Sequence, residues 1–392
     1  MTDQFPDLQA GAREISAAEL KARLDAGESV TVLDTRRPSD FEEWKLTHPN
    51  VTNVNVPFTE FLEESGEPAG SVPEGVPDGP LITCCAKGIS SLYVAEFLAQ
   101  AGWAVEALDD GMRGWARLYE ARVIEGVDTE GATVLQYHRP SSGCLAYLVV
   151  SGEDAAVVDP LRAFATRYAE DAAERGATLR YAVDTHVHAD HVSGVRDVAT
   201  LTAAEPVLPE ASVGRGLAFD ATLLGDGDVL QVGDAAVEVV HIPGHTSEMM
   251  GYRIGDVFVT GDTLFTDSVA RPDLESGAEG ATEAAGRLYD TLQAIAGLPD
   301  ETVVAPAHTS PGEEPAADGT YTARLDDLRE TLSAFSDDRE TFVQETIADM
   351  PPRPNNFEEI IATNLGRTSV DDDEAFELEL GPNNCAAAPS AD

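Results

Sequence analysis

Lysine is nearly missing from this chain. Of 25 basic residues only Lys21, Lys45 and Lys87 are lysines, against 71 acidic ones, and the formal charge is −46. A surface so poor in positive charge repels polyphosphates and anionic headgroups, so nucleic-acid and membrane-surface partners are not expected. The acid is spread along the chain: residues 311–392 carry 20 Asp and Glu against 5 Arg, which leaves −31 for the first 310. Such an even excess is a means of solvation suited to a very salty cytoplasm, where a Debye length of ~3 Å makes self-repulsion tolerable. No apolar run approaches the ~20 residues of a membrane-spanning helix. The opening MTDQFPDLQAGAREIS has no basic start followed by an apolar run, so no signal peptide is expected. Cysteine is scarce too. Cys84, Cys85, Cys144 and Cys385 form no CxxC pair and no disulfide framework, and a reducing cytoplasm is the expected setting.

What is present supports real cores. The hydrophobic fraction of 43% over 392 residues suffices for two or three domains. Over 13–122, the short runs TVLDTR (31–36), LITCC (81–85) and WAVEAL (103–108) read as strands. Between the last two, SSLYVAEFLAQAG places Leu92, Ala95, Leu98 and Ala99 on one helical face, with Gly102 ending the helix. Strands alternating with helices predict a small parallel α/β domain. A second unit, 130–312, is rich in short strands, among them LAYLVVSG, LRYAVDTH and GDVFVTGD. Helical stretches broken by MPPRP extend it over 313–368, and 369–392 reads as an acidic, mobile tail.

The richest stretch is THVHADHVSG, with His186, His188, Asp190 and His191 within six positions. Neutral imidazole is the commonest metal ligand. In an extended HxH, His186 and His188 face one way, and a turn at Ala189 lets Asp190 and His191 face a second position. Three more strand ends stop at candidate ligands: His245 in IPGHT, Asp262 in TGDT and His308 in PAHT. Five of the eight histidines lie in this set. The residues alone leave one metal ion or two open. His241, inside the strand before IPG, reads as a packed core residue.

In the first unit CAKGISS (85–91) follows a buried strand and opens a helix. A thiolate at Cys85 would sit among backbone N–H groups at the positive end of the helix dipole. Gly88 allows the tight bend, Ser90 and Ser91 can cap the helix, and Lys87 is a local cation. Cys84 reads as a buried strand residue.

HVHADH, PGHT, TGDTLF and PAHT closely resemble the metallo-β-lactamase superfamily over about 130–310. The resemblance implies an αββα sandwich with its metal site at one edge of the two sheets. Thioester hydrolases of the glyoxalase II type fill two positions, usually with zinc; persulfide dioxygenases hold a single Fe(II). VVDPLRAF, VDTHVHADHVSG and GDTLFTDSVARPDL look most like the persulfide dioxygenase branch. By that likeness His186, His245 and Asp262 would bind one Fe(II). His188, Asp190, His191 and His308 would support them, Asp190 as an acid or base, or would be ligands if two Zn(II) are held. Arg271, in ARPD, matches an arginine that contacts the thiol substrate; the alternative is a surface salt bridge to Asp273. Glutathione-using members carry a tyrosine two residues after the last histidine, where this chain has Ser310, which counts against glutathione itself.

LDTRRPSDFEEW, CCAKGISS and DGMRGW, in that order, look like a rhodanese domain. The likeness implies that Cys85 carries sulfane sulfur as a persulfide within the loop holding Lys87, Gly88 and Ser90, and that Asp34 and Arg36 are structural. The expectation is therefore an α/β chain with an N-terminal rhodanese-like domain and a C-terminal metallo-β-lactamase sandwich. Its substrates would be a small-molecule thiol persulfide, O₂ and thiosulfate or sulfite. A zinc thioester hydrolase and a non-catalytic sulfur carrier remain as alternatives, and monomer or homodimer is left open.

Overall fold

The computed structural model describes residues 11–348 and 350–387. It divides into two units. One takes in the chain up to Leu118 with Arg139–Ser142, the other Tyr119–His138 and Gly143 onward. The boundary falls a few residues before the expected 122, because Glu120–Val123 pairs antiparallel with Thr133–His138 and so joins the second unit's sheet.

The first unit is built on a five-stranded parallel sheet. Its order is Arg13–Ile15, Val105–Leu108, Leu81–Cys84, Val30–Asp34 and Val51–Asn55. Each parallel neighbour needs a crossover, and helix Ile89–Gln100 is the one that follows the cysteine strand. It ends at Ala101, with Gly102 at φ 94°, the left-handed conformation that closes helices. Asp34 and Arg36 form a buried pair (2.6 Å), and Arg36 also donates to the Trp44 carbonyl, so the DxR sequence braces the sheet's end.

The second unit is a four-layer αββα sandwich. One sheet runs in the order Thr222–Leu224, Glu205–Pro209, Thr178–Val183, Asp154–Val158, Leu145–Ser151, Thr133–His138, Glu120–Val123. The other runs Val229–Val232, Ala235–His241, Met250–Ile254, Val257–Gly261, Val303–Pro306, Ala323–Arg324. LAYLVVS is buried at every position, which is why it reads as an unbroken apolar run. Val134, Tyr147, Val149 and Val158 of one sheet meet Val237, Val239, Tyr252 and Val259 of the other. Helices Ala165–Glu174 and Val195–Thr202 cover the first sheet, and Gly277–Ile295, Leu325–Thr331 and Arg339–Ala348 the second. Parity aims His241 inward with Val237 and Val239. It is instead exposed, because it is the last residue of its strand and lies past the core, its Nε2 against the Ser247 carbonyl (2.9 Å).

Residues 369–387 depart from the expected mobile tail. Asp371 caps helix Asp372–Leu378 through the Glu374 N–H (2.8 Å), so part of the acidic run is a helix start rather than free chain. Val370 and Ala375 pack on Val192 and Ile360, and Cys385 packs on Ala189 and Leu274. Residues 388–392 of that tail lie outside the described residues. Among the described residues no helix is long and apolar enough to cross a membrane.

Candidate metal centre and cysteine loop

All seven candidate ligands lie at strand ends on one edge of the sandwich, and all are buried. His186, His188, Asp190 and His191 follow strand Thr178–Val183; His245, Asp262 and His308 follow Ala235–His241, Val257–Gly261 and Val303–Pro306. Six of them fall into two clusters. In the first, His186 Nε2 and His245 Nε2 each lie 3.6 Å from Asp262 Oδ2. All three atoms are buried and have no hydrogen-bond partner. Buried polar atoms left unpaired cost about 1–3 kcal/mol each. Three such atoms facing one another are the signature of a metal position, and the residues fit one: two neutral imidazoles and a carboxylate.

The opposite sides of these rings are fixed. His245 Nδ1–H donates to the Arg271 carbonyl (2.9 Å). His186 Nδ1 meets Thr185 Oγ1 (2.9 Å), whose own hydroxyl donates to Asp159 Oδ2 (3.0 Å). Each contact places the ring proton on Nδ1 and turns the Nε2 lone pair inward. Burial pushes His186 well below the usual imidazole range, and His245 down, so both are neutral as a ligand must be.

The second cluster gathers Cys144, Asp190, His191 and His308. Asp190 Oδ2 accepts from His308 Nε2 (2.8 Å), His191 Nδ1 (3.1 Å) and Cys144 Sγ (3.3 Å). His308 Nδ1 reaches Asp262 Oδ1 at 2.6 Å, so one imidazole links the two clusters. Burial opposes charge on this ring, but Asp262 and Asp190 outweigh it and raise His308 well above the usual range. His188 stands apart, its Nε2 on Asp159 Oδ1 (3.0 Å) and near Asp184.

Several residues that hold this edge together carry no mark in the sequence reading. Asp159 sits at φ 50° and takes the Thr185 N–H (2.7 Å), the Thr185 hydroxyl and His188. Glu248 accepts the Val187 N–H (3.1 Å), between the two histidines, and pairs with Arg215. Asn364 donates to the carbonyls of His188 and His191. The available signal was that VVD also ends a strand in a carboxylate. Cys385 reaches in from the C-terminal segment, near Asp190, Asp262 and His308.

Arg271 has a different position from the one expected. It is 1% exposed, so its pairing with Asp273 (2.7 Å) is a buried bridge and not a surface one. Its remaining contacts are the carbonyls of Pro352 (2.8 Å) and Asn384 (2.9 Å), and its N–H donates to the Cys385 carbonyl (3.2 Å). Burial opposes the Asp273 charge, but Arg271 and Arg353 outweigh it and hold its carboxyl below the usual range. The guanidinium thus ties down the C-terminal segment. Arg271→Met is expected to free it, adding one reactive thiol, Cys385, to native-state labelling mapped by peptide. Labelling unchanged from the parent would show that the anchor lies elsewhere.

In the first unit Cys85 is 4% exposed, and its Sγ accepts from Ser91 N–H (3.4 Å) and Ser91 Oγ–H (3.3 Å). Ser91 makes these contacts because the helix begins at Ile89 and its third N–H points into the loop, while Ser90 is half-buried. Gly88, at φ 76°, is required there: a Cβ would lie 2.8 Å from the Asp110 backbone nitrogen. Lys87 is exposed at the loop's rim.

Comparison with known proteins agrees with both units. Residues 139–308 match the metallo-β-lactamase superfamily and residues 16–118 the rhodanese-like domain. Mouse (Mus musculus) persulfide dioxygenase ETHE1 is 33% identical over 188 residues, 45% of this chain and 69% of the relative. Hydroxyacylglutathione hydrolase of Erythrobacter litoralis is 29% identical over 217 residues, 55% of this chain and 78% of the relative. The crystal structure of ETHE1 from Myxococcus xanthus superposes with a TM-score of 0.53 at 27% identity, covering 59% of this chain and 98% of that one. The chain belongs to the metallo-β-lactamase superfamily and carries an N-terminal rhodanese-like domain.

Proposed function

We propose that the chain is a persulfide dioxygenase. It oxidises a low-molecular-weight thiol persulfide to sulfite at one Fe(II) held by His186, His245 and Asp262. The reaction RSSH + O₂ + H₂O → RSH + SO₃²⁻ + 2 H⁺ balances: the sulfane sulfur gives up four electrons and dioxygen takes them. The observation that supports this reading is the group of three unpartnered buried atoms, two imidazole nitrogens and one carboxylate oxygen, that face one another at His186, His245 and Asp262. When bound, a ferrous ion supplies open coordination positions for dioxygen and the persulfide.

The chain's own residues do the rest. Thr185 and the Arg271 carbonyl fix the two imidazoles, and burial keeps bulk water from the ligands. Asp190 Oδ2 and His308 Nε2 share a proton, available to the departing thiolate. With Arg271 committed elsewhere, recognition of the thiol is not assigned to it. Cys85, with its two donors from Ser91, would deliver or accept sulfane sulfur.

The likeness of VVDPLRAF, VDTHVHADHVSG and GDTLFTDSVARPDL to the persulfide dioxygenase branch supports this choice over the glyoxalase II reading, while relatives of both kinds are similar to the chain at about the same identity. One observation favours the latter, the gathering of Asp190, His191 and His308, which could complete a two-zinc site. Metal analysis of chain purified without oxygen, joined to oxygen uptake with a panel of thiol persulfides, decides between them. One iron per chain with persulfide-dependent uptake is expected; two zinc ions with thioester hydrolysis and no uptake would overturn the proposal. In the same assays Cys85→Ser is expected to abolish sulfur transfer from thiosulfate to a thiol.

A further inference from the structure

We propose that Tyr137, paired with Asp171 and stacked on Tyr119, is a redox-active tyrosine that gives up one electron and one proton to oxidants formed at the metal edge. The proposal rests on the dioxygenase reading only for the source of those oxidants, a ferrous ion meeting oxygen or peroxide. Its function is to draw a misdirected oxidation away from the ligands.

Three of the chain's nine tyrosines meet in one cluster on the helix-covered face of the first sandwich sheet. Tyr119 stacks on Phe164 (centroids 4.0 Å apart, planes at 5°) and on Tyr137 (5.2 Å, 14°). Tyr168 meets both tyrosines edge-on, at 5.9 Å from Tyr119 and 5.0 Å from Tyr137. These are the spacings of aromatic rings in direct contact, and an electron passes readily between rings that touch. The inner end of the cluster lies against the metal edge. Tyr168 Oη accepts the Leu161 N–H (3.0 Å), two residues beyond Asp159. Cys144, whose Sγ lies 3.3 Å from Asp190 Oδ2, packs in the same cluster. The outer end reaches solvent at half-buried Tyr119.

Phenylalanine would fill this space equally well, so the hydroxyls need an account of their own. Those of Tyr119 and Tyr168 hydrogen-bond to each other. Tyr137, fully buried, donates to Asp171 Oδ2 (2.8 Å), and Arg167 Nε holds the same oxygen (2.8 Å). A buried phenol resists losing an electron alone, because a charged radical would be left in apolar surroundings. A carboxylate at hydrogen-bond distance takes the proton as the electron leaves, so the radical is neutral. Burial, and then the hydrogen bond to Asp171, push the Tyr137 phenol above its usual range, so it keeps its proton until that moment. The step is Tyr137–OH + Asp171–COO⁻ → Tyr137–O• + Asp171–COOH + e⁻. The electron goes to a one-electron oxidant of the kind peroxide forms with a ferrous ion, hydroxyl radical, which with that electron and a proton becomes water. A thiol in solution restores the phenol through Tyr119 by giving one electron and one proton, and leaves as a thiyl radical.

The test has two arms on the full chain. In the first, metal-free protein is oxidised by flash-generated tris(bipyridine)ruthenium(III), frozen and read by electron paramagnetic resonance. A tyrosyl signal is expected that falls several-fold in Tyr137→Phe and in Asp171→Asn, and is unchanged in Tyr289→Phe. Asp171→Asn removes the base and keeps the ring stack, and it carries this arm if Tyr137→Phe does not fold. In the second arm, iron-loaded protein is challenged with peroxide and its peptides are weighed. Oxygen addition at His186 and His245 should rise several-fold in Tyr137→Phe over the parent. No tyrosyl signal in the parent, a signal undiminished in Tyr137→Phe or Asp171→Asn, or equal histidine oxidation in parent and Tyr137→Phe overturns the proposal. Iron-loaded chain that consumes no oxygen with persulfides would instead overturn the dioxygenase reading, and the ruthenium arm would still decide whether Tyr137 is the electron donor.

Discussion

Asp262→Ala is expected to leave the chain unable to retain metal, and with it any metal-dependent activity. Asp262 serves two partners at once: Oδ2 completes the triad with His186 and His245, and Oδ1 accepts from His308 at 2.6 Å. Its loss therefore removes the only carboxylate of the first cluster and leaves two imidazoles facing an empty corner. It also strands His308 Nδ1–H, 2% exposed, without its acceptor, at a further cost of about 1–3 kcal/mol. Partners that act behind a ligand typically contribute 10–100-fold in metal affinity, so a direct ligand should cost more than about 100-fold. His308→Ala supplies the comparison, with an expected loss inside that range at the first position. Metal retained per chain after anaerobic loading and desalting measures both. Retention by Asp262→Ala at the parent's level would remove Asp262 from the ligand set.

The metal edge was readable in sequence because chemistry and local pattern coincide there. A β-branched or apolar run that stops at His or Asp reports a strand end, and seven such residues cannot all be core. The shell behind them was not readable. Asp159, Glu248 and Asn364 act on backbone N–H groups or carbonyls 26 to 176 positions away, and a contact at that separation leaves no periodic trace. Ser91 was separated from Ser90 only by the exact start of a helix, a matter of one residue. The order of the C-terminal segment is hidden in the sequence for a different reason. Its acidic run looks solvated, and the few apolar groups that dock it, Val370, Ala375 and Cys385, are spread too thinly to show a face. Arg271 beside Asp273 was legible as a pair, but burial, which turns that pair into an anchor, depends on chain more than 80 residues away.

Gly244→Ala is expected to unseat His245 without touching a ligand. Gly244 lies in IPGHT at φ 154°, against helix Gly277–Ile295. A Cβ there would meet Leu288 Cβ at 2.6 Å and Leu288 Cα at 2.7 Å. The helix cannot yield cheaply, since Leu288 is fully buried in the cluster holding Ile242, Phe258 and Leu292. The loop cannot slide along it either, because Thr291 Oγ1 donates to the Pro243 carbonyl (2.6 Å) and Thr263 Oγ1 to the Ile242 carbonyl (2.9 Å). The methyl must push the turn away from the helix and carry His245 with it. Overpacking of this kind costs about 1–3 kcal/mol in the metal-free protein. The larger effect falls on binding, since an imidazole displaced by even half an ångström no longer meets an ion shared with His186 and Asp262. Thermal unfolding with and without metal separates the two effects. A metal that binds only the folded chain raises its stability by ~2.7 kcal/mol at a hundredfold excess over Kd. The parent should show that metal-dependent rise in Tm, and Gly244→Ala should unfold at a modestly lower temperature with the rise gone. A rise equal to the parent's would mean that the turn relaxes around the methyl and that Leu288 does not hold His245 in place.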